Sequence, residues 1–372
     1  MDVTRPVDAQ FTKSLPKVEL HAHLSGSISR QCLHEIWRKK KAQNPDFNVE
    51  DPLVLMPPGK VDYSLQTCDP LLYPPTLPIT HPTNRRSFFS VFNKSIYQLC
   101  DDLDSVAYAT RAVLQDFLAD GVCYLELRTI PRASPAATFT SEEYLLTVLD
   151  AIAAFRAAHP QLAVYLILAI ERGHHSAADA LAVVDLALAH RPRGVVAIDL
   201  CGNPTKGDVA TFRPAFDKAR AHGLRVTLHF AEVPAPPGPT ELSTLLEFRP
   251  DRLGHVIHVP EDVKREIARR KLGLELCISC NVHAKMFDGG FLDHHFGYWR
   301  HEDCPVVLCT DDVGFFCSPV SNEYLLAAEH FHLTRVDILN MCQKAVDAIF
   351  GGEAEKARLR RLLDAFEATY RQ

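Results

Sequence analysis

The sequence predicts a (β/α)8 barrel, and three observations carry that prediction. Eight short runs have strand character, most of them apolar almost throughout. Segments of helical period lie between most of these runs, and 372 residues suffice for one such barrel. Strands that are apolar on both faces need cover on both, which a parallel sheet enclosed by helices supplies. The rival arrangement, an open doubly wound sheet, lacks support because no G-x-G-x-x-G follows any run.

In chain order, residues 1–14 are polar and aperiodic and read as a flexible arm before a single domain over 15–372. The first strand is Val18–Leu24 (VELHAHL). Residues 44–82 then break the rhythm, with proline at 45, 52, 57, 58, 70, 74, 75, 78 and 82. That stretch is too long for a simple connection, so it reads as an insertion placed to form a lid over the barrel mouth. Helices are expected over Asn84–Ala119, followed by strands Val122–Arg128, Ala163–Ile170, Val195–Leu200, Leu224–Phe230, Arg252–Val256, Leu272–Ile278 and Pro305–Asp311. Helical patterns occupy Glu142–His159, Ala178–Arg191, Pro214–His222 and Pro260–Lys271, and the chain is helical again from Asn322.

Composition narrows the function. With Lys+Arg 40 against Asp+Glu 46, the net charge of −6 gives no overall basic field to hold a nucleic-acid polymer. No apolar run is long enough to span a membrane, and the first residues lack the apolar core of a secretion signal, so a cytoplasmic protein without a membrane partner is expected. Eleven cysteines scattered through apolar segments read as reduced core residues. A monomer is the default expectation.

The chemistry-bearing residues sit at strand ends. In the first strand His21 and His23 are two apart, so both imidazoles point the same way. His229 closes the fifth strand, His255 the sixth, and Asp311 with Asp312 the eighth. In a barrel of this kind, groups from the C-terminal strand ends converge at one mouth. His21, His23, His229 and Asp311 offer three nitrogens and an oxygen with room for a water, which suits a catalytic Zn2+, with iron or cobalt as alternatives. Glu232, in HFAEVP, is the general acid/base candidate, and His255 is placed to hold or deprotonate a water. Other features read as structural. Cys277-x-x-Cys280 is packing, His174-His175 and His294-His295 are loop residues, and Arg38–Lys41 is a solvated helix face.

The segments LPKVELHAHLSGSIS, DLCGNP, HFAE, RLGHVIH and CTDDVG together resemble the motif series of the adenosine/AMP deaminase family of metal-dependent hydrolase barrels. The resemblance runs from about Leu15 to Ala345, and its opening looks closer to the adenosine deaminase-like branch, which resembles N6-methyl-AMP deaminases. It implies one zinc per chain on His21, His23, His229 and Asp311, with Glu232 as catalytic acid and His255 and Asp311 orienting the nucleophile. It further implies Asp312 as a base contact and the Gly202 backbone amide near the purine. A two-metal relative would carry a bridging lysine on the fourth strand, whereas VVAIDL is followed here by Cys201. The cytidine deaminase type does not fit, because its H-x-E and P-C-x-x-C signature is absent.

Ser25 departs from the pattern. Adenosine deaminases carry Asp there and the adenosine deaminase-like branch usually Asn. A hydroxyl can donate to a 5′-phosphate that a carboxylate would repel, so the resemblance implies a purine nucleoside monophosphate, with N6-methyl-AMP as the leading substrate. Ser27, Lys94, Ser95 and Tyr97 are the candidate phosphate contacts. The alternatives are deamination of plain adenosine, or a catalytically silent nucleoside-binding protein on the same scaffold.

Overall fold

Every expected strand forms in the computed structural model, which describes residues 5–56, 91–134, 138–234, 238 and 240–371. They are β1 (Lys17–His23), β2 (Val122–Thr129), β3 (Ala163–Glu171), β4 (Val195–Cys201), β5 (Arg225–Phe230), β6 (Arg252–His255), β7 (Gly273–Leu276) and β8 (Val306–Leu308). All seven neighbouring pairs are parallel, in the order β1 to β8. The ring closes through a parallel bridge between Ala22 and Asp311, where His23 N–H donates to Asp311 O at 3.0 Å. The apolar runs are buried on both faces, as Leu166, Ile167, Leu168, Ala169 and Ile170 of β3 show.

The covering helices start where local capping chemistry permits. Thr140 and Glu143 form a reciprocal capping box that opens Ser141–Ala158, a helix burying Tyr144, Leu145, Val148, Leu149, Ile152 and Phe155. Ser176 and Asp179 open Ala177–Ala189 in the same way.

Two expectations need correction, and a third falls outside the described residues. β7 and β8 are shorter than their apolar runs, because Ile278–His283 turns into a helix and Asp311 lies past the end of β8. Part of the flexible arm is helical, over Ala9–Ser14, where the Asp8 carboxylate caps Phe11 N–H and Phe11 is buried against the ring of Phe366 at 5.5 Å. The lid, finally, was placed on an insertion of which residues 57–82 lie outside those described. Ten described cysteines are free thiols, eight of them buried. Among the described residues no helix is long and apolar enough to cross a membrane.

The core also holds charge. Glu323, on the helix Val320–Phe331, is fully buried and accepts from Ser279 N–H at 3.0 Å and from the hydroxyls of Ser279 and Ser318. Burial outweighs those bonds and pushes its carboxyl from 4.5 up to about 7. Between these values the folded chain holds a proton that the unfolded chain has lost, so this contribution to stability is complete below pH 4.5 and is lost as pH rises through 7. Glu323→Gln, neutral at every pH, should flatten that loss. Urea midpoints at pH 5 and pH 8 should show the variant gaining on the parent at the higher pH, by at most about 3 kcal/mol. Parallel pH profiles for the two proteins would refute this.

Candidate active site

The C-terminal strand ends bring the sequence candidates together. His23 Nε2 lies 3.1 Å and His21 Nε2 3.2 Å from His229 Nε2, and Asp311 Oδ1 lies 3.5 Å from His21 Nε2 and 3.4 Å from His23 Nε2. Left-handed backbone at four non-glycine positions turns the chain here: Ala231 (φ 55), His255 (φ 63), Val256 (φ 58) and Asp311 (φ 60). Such conformations cost about 1–3 kcal/mol each and cluster where function demands a particular side-chain direction.

Two of the ligand candidates, His21 and His229, are oriented from behind. His21 Nδ1 meets Glu275 Oε2 at 2.6 Å and His229 Nδ1 meets Asp199 Oδ1 at 3.2 Å, so the lone pairs of both Nε2 atoms face the centre. Arg128, fully buried, donates to Asp199 Oδ2 (3.0 Å) and Glu275 Oε2 (2.6 Å) and fixes both carboxylates. At 3.1–3.2 Å these ring nitrogens must share a proton or a metal ion, because bare lone pairs would repel, and three imidazoles with one carboxylate are a donor set suited to zinc.

Protonation follows burial and neighbours. Burial holds His21 and His23 well below the usual imidazole range. Burial also opposes charge on His229, yet Asp199 raises it to about 9. Burial alone would raise the Asp311 carboxyl, but its contact with His21 and the neighbouring imidazoles carry it below the usual range. Asp312 is pushed well up by burial and by the charge of Asp311.

His255 also falls within 4.8 Å of His21, His229 and Asp311, and could be counted among the ligands in place of His23. Its tautomer argues otherwise. Phe296 N–H donates to His294 Nδ1 at 3.0 Å, so His294 carries its proton on Nε2 and donates to Asn281 Oδ1 at 3.0 Å. The Asn281 amide then donates to His255 Nδ1 at 3.0 Å, leaving the His255 proton on Nε2. That atom faces Glu232 Oε2 at 3.7 Å and Asp311 Oδ2 at 3.9 Å. His255 is therefore a donor into the site, whereas the short distances of His23 mark it as the fourth ligand candidate.

The remaining candidates surround this centre. Glu232 is buried just past β5. The Asp312 Oδ1 atom is buried without a partner and lies against Gly26, where an added Cβ would stand 1.4 Å away; only glycine admits that approach. Gly202 follows β4 at φ +98 beside Arg172 N, a conformation that glycine adopts without strain. Ser27 and Ser95 are buried with unpartnered hydroxyls, Ser25 and Tyr97 are half-buried, and Lys94 is exposed.

Several contributors were not legible in the sequence. Arg132 lines a small cavity with Ser25, Ile96 and Tyr144, stacks on the ring of Tyr97 at 4.8 Å, and has a buried Nη1 without a partner. Cys280 was read as packing, yet its thiol donates to Asp311 Oδ2 at 2.9 Å. His294 lies in a loop, as expected, but it is buried and donates to Asn281 Oδ1.

Eight parallel strands with histidines and aspartate gathered at their C-terminal ends define a barrel of the metal-dependent hydrolase type. The chain belongs to the adenosine deaminase family, whose profile matches residues 51–366, and is a hydrolytic deaminase acting on a C–N bond. It is 34% identical to the N6-methyl-AMP deaminase of Danio rerio over 94% of this chain and 95% of that one. Among solved structures it is similar to Arabidopsis N6-mAMP deaminase (TM-score 0.83, 32% identity, 96% of this chain and 99% of that one). It is also similar to Arabidopsis ADAL complexed with IMP (TM-score 0.83, 31% identity, covering 96% and 98%).

Proposed function

We propose that this protein is a zinc-dependent deaminase of purine nucleoside 5′-monophosphates, converting N6-methyl-AMP to IMP and methylamine. The observation that carries the reading is the convergence of His21, His23, His229 and Asp311 beside Glu232 and His255. Those four residues would hold one zinc, which supplies a nucleophile at neutral pH by lowering the pKa of water toward about 7. Glu232 protonates ring nitrogen 1 as water adds at carbon 6, and the amine leaves after a second proton transfer. His255 donates from Nε2 and Asp311 accepts, which together orient the attacking oxygen. Asp312 shares a proton with nitrogen 7, and the Gly202 amide lies along the base.

The phosphate assignment rests on unsatisfied donors. A buried polar atom without a partner is costly, and the hydroxyls of Ser27 and Ser95 and the Nη1 of Arg132 are three such atoms. Arg132 shares its cavity with Ser25, the position at which a carboxylate would repel a phosphate. The expected result is a preference of the native protein for N6-methyl-AMP over N6-methyladenosine in kcat/KM, reversed or erased in Ser25→Asp. Side-by-side rates on both substrates and on AMP and adenosine test it. Equal efficiency of the native protein on nucleotide and nucleoside would point to a nucleoside deaminase instead.

A further inference from the structure

At the opposite end of the barrel, the starts of β4 and β5 and the turns before them line a half-open cavity of about 650 Å3. Five arginines line it: Arg156 at the end of the helix Ser141–Ala158, Arg191 and Arg193 before β4, Arg220 on the helix Arg213–Ala221, and Arg225 opening β5. Two carboxylates oppose them. Asp150 pairs with Arg193 at 2.6 Å, and Asp251 is shared by Arg220 at 2.7 Å and Arg225 at 2.8 Å. Arg191 donates to the carbonyls of His222 and Gly223.

Two guanidinium groups keep unused capacity. Arg156 is exposed, makes no hydrogen bond or ion pair among the described residues, and lies over the ring of Tyr165 at 5.5 Å. The Nε of Arg220 is buried without a partner. Burial, and then the repulsion of Arg249 and Arg225, hold the Arg220 guanidinium below its ordinary value although Asp251 works against them. A chain of net charge −6 thus gathers five cations around one cavity against two acids.

We infer that this cavity is a second binding site, for a compact anion carrying two or more phosphate groups. Guanidinium forks match phosphate oxygens in pairs, and the half-open cavity has room for a compact polyanion. Tyr165 and Phe350 add aromatic walls able to take a flat base. β4 runs for seven residues, about 23 Å, between this cavity and the histidine cluster, so one small ligand cannot occupy both. The site does not depend on the proposed substrate.

Calorimetric titration of the full chain with inorganic tripolyphosphate and with ATP tests the inference. The expected result is one equivalent bound per chain, weakened about tenfold or more by Arg156→Glu, the scale of one charge-assisted contact. Arg156→Gln should weaken it less. Arg265→Glu, an exposed arginine elsewhere, should leave it unchanged, and neither Arg156 variant should alter turnover measured without polyphosphate. ATP binding more tightly than tripolyphosphate would assign its base to the Tyr165 wall, and equal affinities would assign recognition to the phosphates; both support the site. No binding to the native protein, equal weakening by Arg156→Glu and Arg265→Glu, or displacement of tripolyphosphate by IMP would overturn it.

Discussion

Glu232→Gln should lose on the order of 10²-fold or more in turnover while keeping its metal, because glutamine preserves size and polarity but cannot cycle a proton. Glu232 is buried just past β5, and its Oε2 stands 3.7 Å from His255 Nε2. It is absent from the short contacts that join His21, His23, His229 and Asp311, so its loss should leave metal content and thermal midpoint near those of the parent. Steady-state rates on N6-methyl-AMP with metal analysis of the same sample separate the two effects. Turnover at the parent rate would remove Glu232 from the mechanism; loss of metal together with rate would make it a ligand.

Removing a ligand should act differently. The native protein is expected to hold about one zinc per chain, since β4 (VVAIDLC) carries no lysine to bridge a second ion. His23→Ala deletes one of four donors, and its affinity should fall by more than the roughly 10–100-fold that loss of an outer partner costs. Turnover should fall with it. Dialysis against a chelator should abolish activity in the parent and lower its thermal midpoint, because an ion bound only by the folded state stabilises that state. Two equivalents of metal, or full activity after exhaustive chelation, would defeat this reading. His255→Ala, by contrast, should keep the metal and lose rate.

Much of this was legible in the sequence because it is written in local periods. Strand alternation alone put His21 and His23 on one side, and the apolar runs marked the strand ends at which His229 and His255 stand. Asp311 was assigned to the right mouth for a partly wrong reason. It lies past β8 in left-handed backbone, held by its bridge to Ala22 rather than by strand geometry.

The sequence by itself determined the eight units, their order, the end of the barrel at which the candidate histidines and aspartate gather, and the residue types available to hold a metal. These follow from hydrophobic period and from the chirality of parallel connections, which leave few arrangements open. Only the tertiary structure decided which neighbours orient those residues. Glu275 supports His21 across 254 positions, Arg128 ties Glu275 to Asp199, and Asn281 with His294 sets the tautomer of His255. The same holds for Arg132 beside Ser25 and for the five arginines at the far end. The physical reason is that a buried charge or imidazole is defined by its partners, and these come from strands and loops brought together only when the barrel closes.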